Sequence, residues 1–195
     1  MLDFIHDLFT KVGISYWLNF GTLLGAVRDG DLIVWDEDVD VGVWHDDVSK
    51  IMSLRDDFKK IGYQLMVNTI EMNNHDKYVC SITVYYSKLN LLHMCLTTFI
   101  TKDGIARCVE YPGMNFPINN IRNPSLASVR EHEFPCPTSS EVGLENYYGK
   151  DWKTPKIKKW MKHLAESDQL DPRVKKAFDD FQEYDYEPGC EIKPE

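Results

Sequence analysis

Residues 38–43 alternate strictly, with Val39, Val41 and Val43 on one side of an extended chain and Asp38, Asp40 and Gly42 on the other. A period of two is the signature of a strand. The valine face anchors that strand in an apolar core and so holds the acids in register on the opposite side. Asp38 and Asp40 leave the same face, with backbones about 7 Å apart. Like charges so placed repel, and a hard divalent cation bound by carboxylate oxygens and substrate phosphates is the usual compensation. Asp36 is in phase with the pair if the strand extends back, which makes it a third candidate ligand.

Leu2, Ile5, Leu8, Phe9 and Val12 recur at helical spacing until Gly13, and Tyr16–Phe20 is a short β-prone run. That run ends at Gly21-Thr22, which opens a helix N-terminus; Leu23–Arg28 can form a short helix, and Asp29-Gly30 is a turn signal. Val48, Ile51, Leu54, Phe58 and Ile61 form one apolar stripe, with acids at its start and lysines at its end, and predict a single helix. β-rich runs follow at 63–69, 77–87, 90–100 and 105–111, the last two joined around Asp103-Gly104. The proline-bearing stretch 112–137 reads mostly as loop with one short helix. Thr138-x-x-Glu141 resembles a capping box for a helix that Gly149 ends. Thr154-Pro155 and Asp171-Pro172 each mark a further helix start. The expected fold is α+β: a mixed β-sheet flanked by helices, with a helical C-terminal region. One domain is expected over residues 1–182, followed by an acidic, fraying tail at 183–195.

A net charge of −9 argues against general nucleic-acid binding, which needs cations to neutralise phosphates. The charge is uneven. Residues 28–47 hold eight acids and one base, whereas 150–162 hold six lysines and one acid. Such a contrast suits a site for metal and phosphate. No apolar run approaches the ~18 residues of a membrane span, and the N-terminus lacks the marks of a signal peptide. The five cysteines form no CxxC pair and read as reduced thiols, so a cytoplasmic protein is expected.

The Gly21-Thr22 helix start offers exposed backbone N–H groups, a hydroxyl and an open approach for a phosphate. Arg28 adds a bidentate cation. Phosphate donors and metal carboxylates in one segment are the equipment of phosphoryl transfer. His45, His132, Arg122 and Arg130 read as structural or surface residues, and Cys95 as core.

Gly21-Thr-Leu-Leu-Gly-x-x-Arg28, followed by Ile33-x-Trp35-Asp-x-Asp-x-Asp40, closely resembles the LicD/fukutin family of the nucleotidyltransferase superfamily. Tyr147-Tyr-Gly-Lys-Asp-Trp152 looks like that family's C-terminal Tyr-Gly-x-x-Trp segment and brings in Lys150 as a phosphate-binding candidate. The resemblance implies a nucleotidyltransferase-like fold with the paired acids on a strand after the Gly-Thr turn. It implies Mg²⁺ or Mn²⁺ as cofactor, a CDP-linked donor, and a glycan hydroxyl as acceptor for phosphocholine, ribitol phosphate or a similar group. Two departures stand out. Val34 replaces the usual proline, and Leu91–Thr98 lacks the superfamily's third carboxylate. Register by eye puts Cys95 there, or His93 if shifted, and Glu110 on the next strand is the candidate substitute for the missing base. Two rival readings remain open at this point. One is transfer of NMP from an NTP, and the other is a non-catalytic domain that binds nucleotide or glycan.

Overall fold

The computed structural model describes residues 1–71, 76–86, 93–111, 113–158 and 182–184. Two compact units make up the chain, Met1–Tyr147 and Tyr148–Glu195.

In the first unit, helix α1 (Leu2–Val12) buries Leu2, Ile5 and Phe9 and is closed by Gly13 in the left-handed conformation, φ 66°. Strand β1 (Tyr16–Leu18) leads into α2 (Phe20–Asp29), which starts three residues ahead of the expected Leu23–Arg28 helix and ends one beyond it. Then comes β2 (Asp38–Trp44), the alternating segment, with Val41 and Val43 fully buried. The single helix expected over 48–61 is instead α3 (Val48–Ser53) and α4 (Arg55–Lys60), broken at Leu54. The apolar stripe survives the break, because Ile51 and Phe58 are both fully buried. Asp56 and Asp57 occupy the first turn of α4, where the helix dipole favours acids.

Strands β3 (Gln64–Glu71), β4 (Lys77–Tyr85), β5 (His93–Lys102) and β6 (Ile105–Cys108) follow the predicted β-rich runs. The β5–β6 hairpin turns through Asp103 and Gly104, both at positive φ (52° and 75°), as a tight two-residue loop requires. Stretch 112–137 is more ordered than its prolines suggest. It contains β7 (Asn115–Pro117), α5 (Ile118–Arg122) and a separate hairpin of β8 (Ser125–Val129) with β9 (His132–Cys136). Pro135 is tolerated there because a two-stranded ladder leaves each strand an open edge. Helix α6 (Ser140–Tyr148) starts later than the capping-box reading places it. The Thr138 hydroxyl donates to the Asn123 carbonyl at 2.5 Å rather than capping the helix.

The main sheet has seven strands, ordered β1-β2-β5-β4-β3 with β6 and β7 branching from β5. β2 and β5 run parallel, while β1 and β4 are antiparallel to their neighbours. On the valine face, Phe9 of α1 meets Tyr16 at 6.0 Å, and Phe4 meets Phe58 of α4 at 5.4 Å. On the other face, Trp17 lies over Gly42 and against Trp44 and Phe99, each at 5.1 Å. Only a residue without a side chain at 42 leaves room for that indole. This aromatic floor supports the far end of the face that carries the aspartates.

The second unit has a turn at residues 150–153 with a Lys156–Asp151 ion pair of 2.6 Å. Among the described residues, no helix starts at Thr154-Pro155. β10 (Lys156–Lys158) pairs there in parallel with β11 (Gln182–Tyr184), whose ladder bonds take the backbone groups a helix would have used. The start predicted at Asp171-Pro172 lies outside the described residues, as does most of the C-terminal tail.

Candidate active site

Asp40 is fixed by the segment that begins α2. Asn19 N–H donates to the Asp40 carbonyl at 3.1 Å, and the Asp40 N–H donates to Thr22 Oγ1 at 2.8 Å. The same Asn19 starts the helix, its carbonyl accepting from Leu23 N–H at 2.9 Å. The paired acids and the helix start are thereby one rigid construction, and buried Thr22 is its pin. Asn19 is fully buried, and among the described residues its side-chain amide has no hydrogen-bond partner.

The glycines of the segment have a packing reason. A Cβ on Gly21 would run into the Asp36 carboxylate. One on Gly25 would come within 2.5 Å of the Asp31 carbonyl oxygen. The loop ahead of β2 thus lies tight against α2, with the Asp36 carboxylate beside a helix N-terminus that favours negative charge. Arg28 lies about 10 Å further along the helix. Its guanidinium is clamped on Asp29 by two bonds of 2.8 and 2.6 Å.

The parallel register sets His93 opposite Asp38 and Cys95 opposite Asp40. His93 Nε2 stands 3.8 Å from Asp38 Oδ2. The residue opposite Asp40 is thus a thiol and not a third acid. Burial pushes its thiol up to about 12, the Asp40 and Glu110 charges add to this, and contacts with Thr97 and Ser81 oppose it. The thiol is therefore protonated at neutral pH. Glu110 follows β6 in a bend, half-buried, where its charge also raises the Cys80 and Cys108 thiols. Lys150 is exposed on the turn of the second unit.

An open cleft of about 730 Å³ adjoins the acids, lined by Thr22, Asp36, Asp38, His93, Arg130 and His132 among others. Arg130 reaches it from the β8–β9 turn, 99 residues from its ion-pair partner Asp31 at 3.1 Å. His132 is bound to Asp3 at 2.6 Å. Along the chain both residues read as structural or surface residues; the β8–β9 hairpin, hidden among prolines, brings them to the cleft. Among the described residues, no three His, Cys, Asp or Glu side chains are gathered to hold a metal ion. A cation here would complete its shell with phosphate oxygens and water.

A sequence model of the LicD/FKTN/FKRP nucleotidyltransferase domain matches residues 13–139, which include Gly21–Arg28, Asp36, Asp38, Asp40, Cys95 and Glu110. The chain belongs to that family. The ribitol 5-phosphate transferase FKRP of Homo sapiens is 44% identical over 52 residues, 27% of this chain and 10% of that protein. The lipopolysaccharide cholinephosphotransferase LicD of Haemophilus influenzae is 39% identical over 54 residues, 28% of this chain and 20% of that one. The ribitol-5-phosphate transferase FKTN of Homo sapiens matches more broadly, 26% identical over 166 residues and 82% of this chain. The matched segments span between 10% and 34% of these curated relatives' own lengths. Among solved structures, the lincomycin-bound lincosamide adenylyltransferase LnuA aligns with a TM-score of 0.48 and 17% identity, over 78% of this chain and 93% of its own.

Proposed function

We propose that the protein transfers a phospho-substituent from a CDP-linked donor to a hydroxyl of a glycan, with Mg²⁺ or Mn²⁺ as cofactor. The observation that carries this reading is the clamp on Asp40, which ties two adjacent carboxylates to a helix N-terminus within a LicD-family domain. The donor set suits such a cation. Asp38 and Asp40 are hard oxygen ligands, half-exposed and on one sheet face, and Asp36, against Gly21 at the start of α2, lines the same cleft as Asp38. When bound, the cation supplies positive charge where the leaving phosphate becomes more negative.

The chain's own residues do the rest. The N-terminal turn of α2, which lines the cleft through Thr22, receives a donor phosphate next to the Asp36 carboxylate. Arg28 is proposed as a further phosphate contact, by exchanging its hold on Asp29. The acceptor oxygen attacks the phosphorus that carries the substituent, the bond from that phosphorus to CMP breaks, and Glu110 takes the hydroxyl proton. The reading is tested by incubating the protein with CDP-choline, CDP-ribitol, CDP-glycerol and NTPs in the presence of Mg²⁺ or Mn²⁺. Release of CMP supports it. Pyrophosphate from an NTP would assign NMP transfer instead, and no product from any donor would leave a binding domain.

A further inference from the structure

The strand registers lay the residues beside the aspartates in three rows across β3, β4, β5 and β2. The first row runs Gln64, Tyr85, His93, Asp38; the second Met66, Thr83, Cys95, Asp40; the third Asn68, Ser81, Thr97, Gly42. Directly paired residues share a sheet face, so all three rows belong to the face of the carboxylates. The reverse face is apolar, with Ile82, Val84, Met94, Leu96 and Val41 fully buried.

A sheet face left to solvent ordinarily carries charged residues. Here the positions on β3, β4 and β5 hold no Lys, Arg, Asp or Glu; they are hydroxyls, amides, one thiol, one imidazole and one methionine. Met66 is 49% exposed and Gln64 is exposed, whereas Ser81 and Thr97 are buried and anchor the third row. The polar groups are already ordered. Asn68 Nδ2 donates to Ser81 Oγ at 3.1 Å and to Thr83 Oγ1 at 3.0 Å, and Tyr85 O–H donates to Gln64 Oε1 at 3.1 Å.

From these rows we infer that the open β3–β4 face is the acceptor subsite, a floor for an uncharged polyhydroxylated molecule such as a sugar. The inference rests on the transfer reading above. Hydroxyl and amide groups both donate and accept, as sugar hydroxyls do, and the Met66 side chain offers an apolar surface to the C–H face of a ring. Without a charged side chain in the parts of these rows that lie on β3 and β4, the floor there has nothing to pair with an ionic ligand. The rows end on Asp38 and Asp40, about 14 Å from the edge strand, so a molecule lying along them brings a hydroxyl to the carboxylates.

Saturation-transfer NMR without any donor tests this on the whole chain, with galactose, glucose, N-acetylglucosamine and ribitol as probes and glucose 6-phosphate as the charged control. At least one neutral probe should bind the wild type. Asn68→Leu with Thr83→Val should weaken that binding by about tenfold, as loss of the ligand's hydrogen bonds would. Met66→Lys, a change at an exposed position, should do the same with an unaltered melting temperature. The inference is overturned if no neutral probe binds the wild type, if the variants bind as well as it does, or if the phosphate ester binds equally well. CMP release by the wild type decides the transfer reading separately, so failure of one does not imitate failure of the other.

Discussion

Gly21 and Gly25 lie four residues apart on one side of α2, and the loop that carries Asp31 and Asp36 closes over both. The family-like spacing of these glycines thus encodes a packing contact between α2 and the loop ahead of β2. Gly21→Ala is expected to lower stability by about 1–3 kcal/mol through overpacking against the Asp36 carboxylate. Urea unfolding checks this, and Asp36→Ala in the same chain should recover most of the loss. Additive effects of the two changes would mean that the contact is not the cause. The paired acids behave differently. Asp38→Asn or Asp40→Asn should abolish Mn²⁺ binding while raising the metal-free melting temperature slightly, because like-charge repulsion is removed. Calorimetric titrations alike in wild type and variants would end the metal assignment.

At the level of elements, one hydroxyl couples α2 to β2. Thr22→Val keeps the shape but leaves the Asp40 N–H without its acceptor, at a cost of about 1–3 kcal/mol, whereas Thr22→Ser should be close to neutral. Unfolding curves for the three proteins separate these outcomes. The elements themselves were legible wherever periodicity was strong, as in α1, β2 and the β3–β6 runs. They were obscured where local signals conflicted. Leu54 breaks a helix whose apolar stripe reads as continuous, and the prolines of 112–137 conceal a hairpin stabilised by pairing between its strands. Thr138 shows the same limit, since its hydroxyl found a tertiary carbonyl in place of the helix start.

Across the whole molecule, burial holds several weak acids neutral. The Cys95 and Cys108 thiols are both pushed up to about 12, and burial raises the Tyr16 phenol as well, aided by the charges of Asp3 and Asp7. An unfolded thiol titrates near ~8.5. The folded state therefore holds these protons more tightly, and their contribution is fully present below pH ~8.5 and lost as pH rises toward the folded values. The urea midpoint should stay flat from neutral pH up to that point and then fall steadily. Cys108→Ser, which keeps an acceptor for the Tyr111 N–H but does not titrate in this range, should make the fall shallower. An identical slope in wild type and variant would show that this thiol does not contribute.

The sequence alone determined the alternating strand, the pairing of Asp38 with Asp40 on one face, the glycine-marked helix beside them and hence the family. All of these depend on residues close together in the chain, where spacing dictates direction. Only the tertiary structure decided what surrounds them. It set Cys95 rather than an acid opposite Asp40, closed the Asp36 loop over α2, clamped Arg28 on Asp29 and brought Arg130 to the cleft. Those placements follow from strand register and hairpin packing between segments distant in sequence. A shift of one residue in any ladder would have turned a different set of side chains toward the site.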